Sequence, residues 1–307
     1  MMIKQFQIAT NRIKLKAINY GGILSALHVK DSRETFRNIV IGHEKLENYY
    51  TNPYYLGASV GPFAGRISGG AFQLNEKLVE LDAVNDVHLH GGLEGWSKKF
   101  WLLDELQQQN KEPFIRFKLS VKEEDTQYPG NITALVTYLL TQDNDLIIRY
   151  EVTTDKDTII NITNHSYFNL SGSGNPIDNH LLKINADTYL ETDAALIPTG
   201  KIVPVKGTHM DFTESKALGN SKLDDTYILH KTAEPQIEIT APDTRIQMQI
   251  STNQPGVVVY TPTEFPAICF ETQNFPDAPN HQHFPSSLLR AGDLYVNESR
   301  FHFTNTP

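Results

Sequence analysis

Ile115-Arg116-Phe117-Lys118-Leu119-Ser120-Val121-Lys122 alternates apolar with polar side chains along its whole length. Successive side chains of an extended chain point to opposite faces, so this spacing gathers the apolar groups on one side and predicts a strand with one buried face. A helix would need apolar residues at intervals of three and four. The same alternation continues outward from this stretch. Leu146, Ile148, Tyr150 and Val152 follow the turn-forming Asp143-Asn144-Asp145; Ile237 and Ile239 alternate with Glu238 and Thr240, and Ile246, Met248 and Ile250 with Gln247 and Gln249. Turn formers separate the runs: Tyr128-Pro129-Gly130-Asn131, Ser171-Gly172-Ser173-Gly174-Asn175 and Asn253-Gln254-Pro255-Gly256. Strand signals outnumber helical ones, and no Pro/Gly/Ser-rich linker divides the chain. The expectation is an all-β fold, one large antiparallel β-sandwich domain over residues 1–307. Within 34–60, Glu44-Lys45-Leu46-Glu47 reads as a helical turn inside a long connection.

Composition narrows the function. A net charge of -9 argues against a nucleic-acid partner, whose phosphates would call for Lys and Arg, and suits a small neutral or cationic ligand. The single cysteine, Cys269, excludes an internal disulfide, and no stretch approaches the roughly 20 apolar residues of a membrane-spanning helix. The start, Met1-Met2-Ile3-Lys4-Gln5-Phe6, lacks the apolar run of a signal peptide. These readings predict a cytoplasmic protein without nucleic-acid or membrane partners, acting as a monomer or homodimer.

Four polar clusters interrupt the strand pattern. Gly65-Arg66-Ile67-Ser68-Gly69-Gly70 sets an arginine in a glycine-rich segment, either a turn with a solvated Arg or a guanidinium aimed at a ligand oxygen. In His88-Leu89-His90-Gly91-Gly92, period two puts both imidazoles on one side of a strand, which reads as a surface pair or half of a metal site, with His281 and His283 further along. Neither the His-x-x-x-His nor the paired-Cys spacing accompanies it. Thr163-Asn164-His165-Ser166-Tyr167-Phe168-Asn169-Leu170 is dense in hydrogen-bonding groups between apolar neighbours. It is either a satisfied buried network or the setting for a proton donor, His165. Ala267-Ile268-Cys269-Phe270-Glu271-Thr272-Gln273 puts Cys269, Glu271 and Gln273 on one strand face. Glu271 is then either a strand-end surface carboxylate or a buried general base kept ionised by cationic neighbours.

Taken in order, these motifs resemble the aldose 1-epimerase (galactose mutarotase) family over nearly the whole chain. Ile18-Asn19-Tyr20-Gly21-Gly22 and Ile39-Val40-Ile41-Gly42 resemble its N-terminal strands, and Tyr55-Leu56-Gly57-Ala58-Ser59-Val60-Gly61 leads into Arg66 and His90-Gly91-Gly92. Thr163 to Leu170, Pro198-Thr199-Gly200, and Glu271-Thr272-Gln273-Asn274-Phe275-Pro276-Asp277-Ala278-Pro279-Asn280 with Phe284-Pro285 complete the set. The resemblance implies a β-supersandwich and an isomerase that interconverts the anomers of a free aldose sugar without cofactor or metal. It implies Glu271 as general base, His165 as general acid, and Arg66, His90 and Asp224 as sugar-binding residues, with the adjacent Asp225 as the alternative to Asp224. A carboxylate, Glu271 itself, is expected to keep His165 protonated.

Departures are visible too. Pro62 and Gly65 stand where the family commonly has arginine and asparagine, which would loosen Arg66 or change the substituents tolerated. His88 maps to no family role and is read as structural or surface. Phe275 and Trp96 are the candidate sugar-stacking aromatics. A relative acting on another or a phosphorylated sugar would want clustered Lys and Arg, whereas only Arg66, Lys98, Lys99 and Arg290 lie near the motifs. A non-catalytic carbohydrate-binding protein would be expected to lack Glu271 or His165. A glycosidase would need two carboxylates such as Glu271 and Asp224 at the right separation.

Overall fold

The computed structural model describes residues 1–109, 111–232 and 235–306. Phe114–Val121 is a strand whose buried positions alternate, pairing antiparallel with Leu102–Gln107 on one side and Ile132–Leu140 on the other. It belongs to a nine-stranded sheet that continues through Asp145–Thr154, Tyr295–Asn305, Ile246–Thr252, Ile237–Thr240 and Leu181–Ile184 to Lys216–Ala217. The Asp143–Asp145 turn joins two of these strands, with Asn144 in the left-handed region at φ 65° that Asn tolerates better than most residues.

A six-stranded sheet runs Tyr167–Phe168, Ile268–Gln273, Gly256–Tyr260, Asp224–Ile228, Thr188–Thr192, Pro198–Pro204. A four-stranded sheet is built from the N-terminal strands between Gln5 and Asn38. One apolar core joins all three, including Leu15, Leu24, Phe117, Val136, Phe168, Phe270 and Phe301. Phe168 stacks on Phe301 with ring centroids 5.6 Å apart, and Thr272 Oγ1 meets Ser299 Oγ at 2.6 Å, so the inner face of the six-stranded sheet lies on the nine-stranded one. The fold is thus the antiparallel all-β sandwich expected from the alternation.

The 34–60 connection carries its helical turn later than expected. A 3-10 turn forms over Leu46–Tyr50 and buries Tyr49, whose hydroxyl accepts the His43 N–H at 3.0 Å. Among the described residues, no helix is long and apolar enough to cross a membrane.

Candidate active site

The strand Ile268–Gln273 is buried along its whole length. Its Phe270 and Thr272 side chains turn to the sandwich core. Glu271, 3% exposed, faces the other way into a cleft. Arg66, His90, His165 and Asp224 line the same cleft. Asp225 points away from it and accepts the Asp224 N–H at 3.2 Å, so strand alternation gives the cleft to Asp224. The surface-carboxylate reading of Glu271 is therefore overturned.

Backbone clamps bring these segments together. Asn161 donates to the carbonyls of Ala64 and Asn274 at 3.0 and 3.2 Å and accepts the Asn274 N–H at 2.8 Å. Thr163 Oγ1 and Asn297 Nδ2 both donate to the Thr272 carbonyl. The dense polar segment is thus a satisfied buried network that also holds His165 in the cleft. Arg66 lies on a short strand paired with Val87–Leu89, and its carbonyl accepts the Asp277 N–H at 2.8 Å. Despite Pro62 and Gly65, the backbone of Arg66 is held on both sides. Its guanidinium stands 3.9 Å from Asp224.

His90 sits just past the end of Val87–Leu89 with φ 53°, and this left-handed residue breaks the period of two. The two imidazoles of the His88-Leu89-His90 motif consequently part company. His88, 1% exposed, is a structural histidine, with Nε2 2.8 Å from the Tyr128 hydroxyl and Nδ1 2.6 Å from the Asp82 carbonyl. The surface-pair and His88 metal readings both fall. His90 Nδ1 accepts the Gly65 N–H at 3.2 Å, so a neutral ring carries its proton on Nε2 as a donor. His90, His165 and Glu271 do form a cluster whose ligand atoms lie within 4.8 Å of one another, but a ring with its lone pair engaged by the backbone is a poor metal ligand.

Gly91, at φ 81°, follows at once, and a Cβ there would stand 2.1 Å from the Gly61 carbonyl oxygen. Gly91→Ala combines a left-handed strain with a backbone clash and is expected to cost about 3 kcal/mol or more. Urea denaturation of the variant checks this; an unchanged midpoint would show that the turn is slack.

His165 Nε2 stands 3.4 Å from Glu271 Oε1, and its Nδ1 lies 3.5 Å from the Cys269 thiol. Burial pushes Glu271 up to about 8, with Asp224 adding to the rise and Arg66 opposing it. Burial likewise pushes His165 down to about 4, against a hydrogen bond to its own backbone. His90 is held well below the usual histidine range by burial and by the neighbouring His165 and Arg66. Burial therefore moves the two groups in opposite directions, the carboxyl up and the imidazole down. At His165 burial outweighs the groups that favour its charged form. In the empty cleft burial thus favours the neutral carboxyl and the neutral imidazole.

The aromatic walls also differ from expectation. Trp96, 1% exposed, packs on Trp101 and under Gly61, and Phe275 packs edge-on against Phe284; neither lines the cleft. Tyr54, Tyr55, Tyr167 and Tyr260 do. Tyr55 contacts both His90 and His165, with centroids 4.9 and 5.8 Å away. Of these, Tyr167 lay inside a quoted polar cluster, while Tyr54 and Tyr260 carried no signal beyond aromatic composition.

A buried carboxyl and imidazole in a cleft lined by tyrosines, on an antiparallel sandwich, are groups able to exchange protons with a small polar molecule. The comparisons agree. The family model for aldose 1-epimerase matches residues 4–302. A mouse galactose mutarotase is 34% identical over 98% of this chain and 94% of that protein, and a Haemophilus influenzae aldose 1-epimerase is 35% identical over 95% of this chain and 93% of that one. A solved aldose epimerase homologue from C. elegans superposes with a TM-score of 0.92 at 26% identity, covering both chains in full. The chain belongs to the aldose 1-epimerase family, a family of isomerases.

Proposed function

We propose that this protein is an aldose 1-epimerase that interconverts the α and β anomers of a free hexose, galactose or glucose, by opening and reclosing the ring. The observation that carries the reading is the buried Glu271 and His165 pair, 3.4 Å apart in the cleft. Glu271 takes the proton of the C1 hydroxyl while His165 gives one to the ring oxygen, and the bond between C1 and the ring oxygen breaks to leave an aldehyde. Rotation about the C1–C2 bond presents the other face of the carbonyl. The ring oxygen then attacks C1, returning its proton to His165 while Glu271 protonates the new hydroxyl. His90 Nε2–H and Arg66 donate to the sugar, and Asp224 accepts from its hydroxyls.

Opening requires the ionised carboxylate and the imidazolium, which burial disfavours against the neutral pair. One proton transfer across the 3.4 Å contact converts one into the other without a change in net charge. Sugar hydroxyls donating to Glu271 Oε2, which is buried and unpartnered, favour that transfer. Among the described residues lining the cleft, Arg66 is the only Lys or Arg, beside two carboxyls. This favours a neutral sugar over a phosphorylated one. The lone, buried Cys269 suits a reducing, cytoplasmic setting, and the whole chain is read as one catalytic domain.

The test is polarimetry on freshly dissolved α-D-galactose and α-D-glucose. Relaxation of rotation is expected to be much faster with catalytic protein than in buffer, and equally fast after EDTA. No acceleration would overturn the reading, and loss of activity on chelation would restore the metal cluster of His90, His165 and Glu271.

A further inference from the structure

We infer that Gln273 is a positioning residue for Glu271, supplying from the same strand face the hydrogen bond that the ionised carboxylate lacks in the empty site. The inference rests on Glu271 acting as the base proposed above. Gln273 is fully buried, and neither its Nε2 nor its Oε1 has a hydrogen-bond partner among the described residues. Glu271 Oε2 is buried and unpartnered as well. A buried amide with both ends unsatisfied is costly and rare in a native fold, and such a group calls for a role.

Placement supplies one. Positions two apart on a strand share a face at roughly 7 Å, a gap that two side chains of this length close by leaning together. Gln273 Nε2 also lies toward the cleft wall, 3.3 Å from where a Cβ on Gly65 would stand, and Gly65 lines the cleft beside Arg66 and Glu271. The surrounding charged and titratable groups are otherwise committed. His165 stands against the other carboxyl oxygen, Oε1; Arg66 is drawn to Asp224, whose own charge disfavours ionisation of Glu271; His90 gives its Nδ1 to the Gly65 N–H. Cys269 and Tyr167 face Glu271 as neutral groups, the thiol and phenol both raised by burial. The sheet neighbour across from Glu271 is Val258, which offers no donor. Gln273 is then the neutral donor that a rotation of its amide brings to Oε2 when the proton passes to His165. An amide here steadies the carboxylate without pinning it, as a lysine would.

The experiment is kcat and kcat/KM against pH by polarimetry, with thermal melting, for the wild type, Gln273→Met and Gln273→Glu. Activity should fill the window in which the pair holds one proton, and the alkaline limb of kcat/KM, which reports the free enzyme, follows loss of the proton from Glu271. In Gln273→Met the alkaline limb is expected to move up by about one pH unit and kcat to fall about tenfold, since the carboxylate has lost a donor. The acid limb and KM should stay near the wild-type values and the melting temperature should hold or rise. Gln273→Glu keeps the shape but sets a second carboxyl beside the first, and should move the alkaline limb further up. A Met variant with the wild-type limb and kcat overturns the inference, whether or not its melting temperature falls, because a packing role moves stability alone. If instead the wild type fails to accelerate mutarotation, or Glu271→Gln keeps full turnover, the assignment of Glu271 is what fails.

Discussion

Glu271→Gln is expected to lower kcat for mutarotation by about 10³-fold or more while leaving sugar affinity within a few-fold of the wild type. The amide keeps the volume of the carboxyl and its contacts with the buried strand, so the cleft is retained. It cannot take the C1 hydroxyl proton, and it cannot pass a proton to His165 across the 3.4 Å contact. Both halves of the cycle use the Glu271 carboxyl, opening to take the C1 hydroxyl proton and closure to return one, so no half-reaction escapes the change. The loss should therefore fall on kcat and kcat/KM alike, the signature of an interaction made in the transition state. Polarimetry gives the rate, and titration calorimetry with the equilibrium sugar gives the affinity. Wild-type turnover in the variant would remove Glu271 from the mechanism, whereas lost binding with kcat retained would make it a sugar-holding group.

The strands were legible because half-burial leaves a period of two in the sequence, as at Phe114–Val121 and Ile246–Thr252. The site was legible where polar residues sat in apolar surroundings: Glu271 follows the apolar stretch Ala267-Ile268-Cys269-Phe270, and His165 lies between buried isoleucines and leucine. The rest depended on long-range or backbone facts. Extrapolating period two through His88 and His90 failed because His90 takes a left-handed backbone just where the strand ends. Trp96 and Phe275 could not be told from Tyr55 and Tyr260, because an aromatic ring fits a core and a cleft wall equally well. The pull of burial on the ionisation of Glu271 and His165 escaped the sequence for a similar reason. It is decided by how deeply the pair is buried, and the sequence neighbours of His165 and Glu271 do not reveal that depth.

That burial has a thermodynamic consequence larger than any single contact in the site. Glu271 is held up to about 8 in the folded protein, against an ordinary value of about 4.5. Between those limits the native state keeps a proton that the unfolded chain has lost, so stability falls as pH rises through this interval. Below it both states are protonated and the cost vanishes; above it the cost is complete. At ~1.36 kcal/mol per pH unit, the interval bounds the cost at about 5 kcal/mol. His165 acts in the opposite direction. Its folded value of about 4 lies under the ordinary 6.5, so stability is lost as pH falls through that range. Glu271→Gln removes the first effect and leaves the second. The variant is therefore expected to be more stable than the wild type at pH 8 by several kcal/mol, an advantage that shrinks steadily toward pH 4.5 and leaves only the constant offset of the amide. Urea denaturation of both proteins across this range checks it, since subtracting the two curves cancels the His165 contribution. A difference that does not change with pH would mean that Glu271 is already ionised in the folded, empty enzyme. The proton would then rest on His165 before any sugar arrives, and ring opening could begin without the transfer between the two side chains.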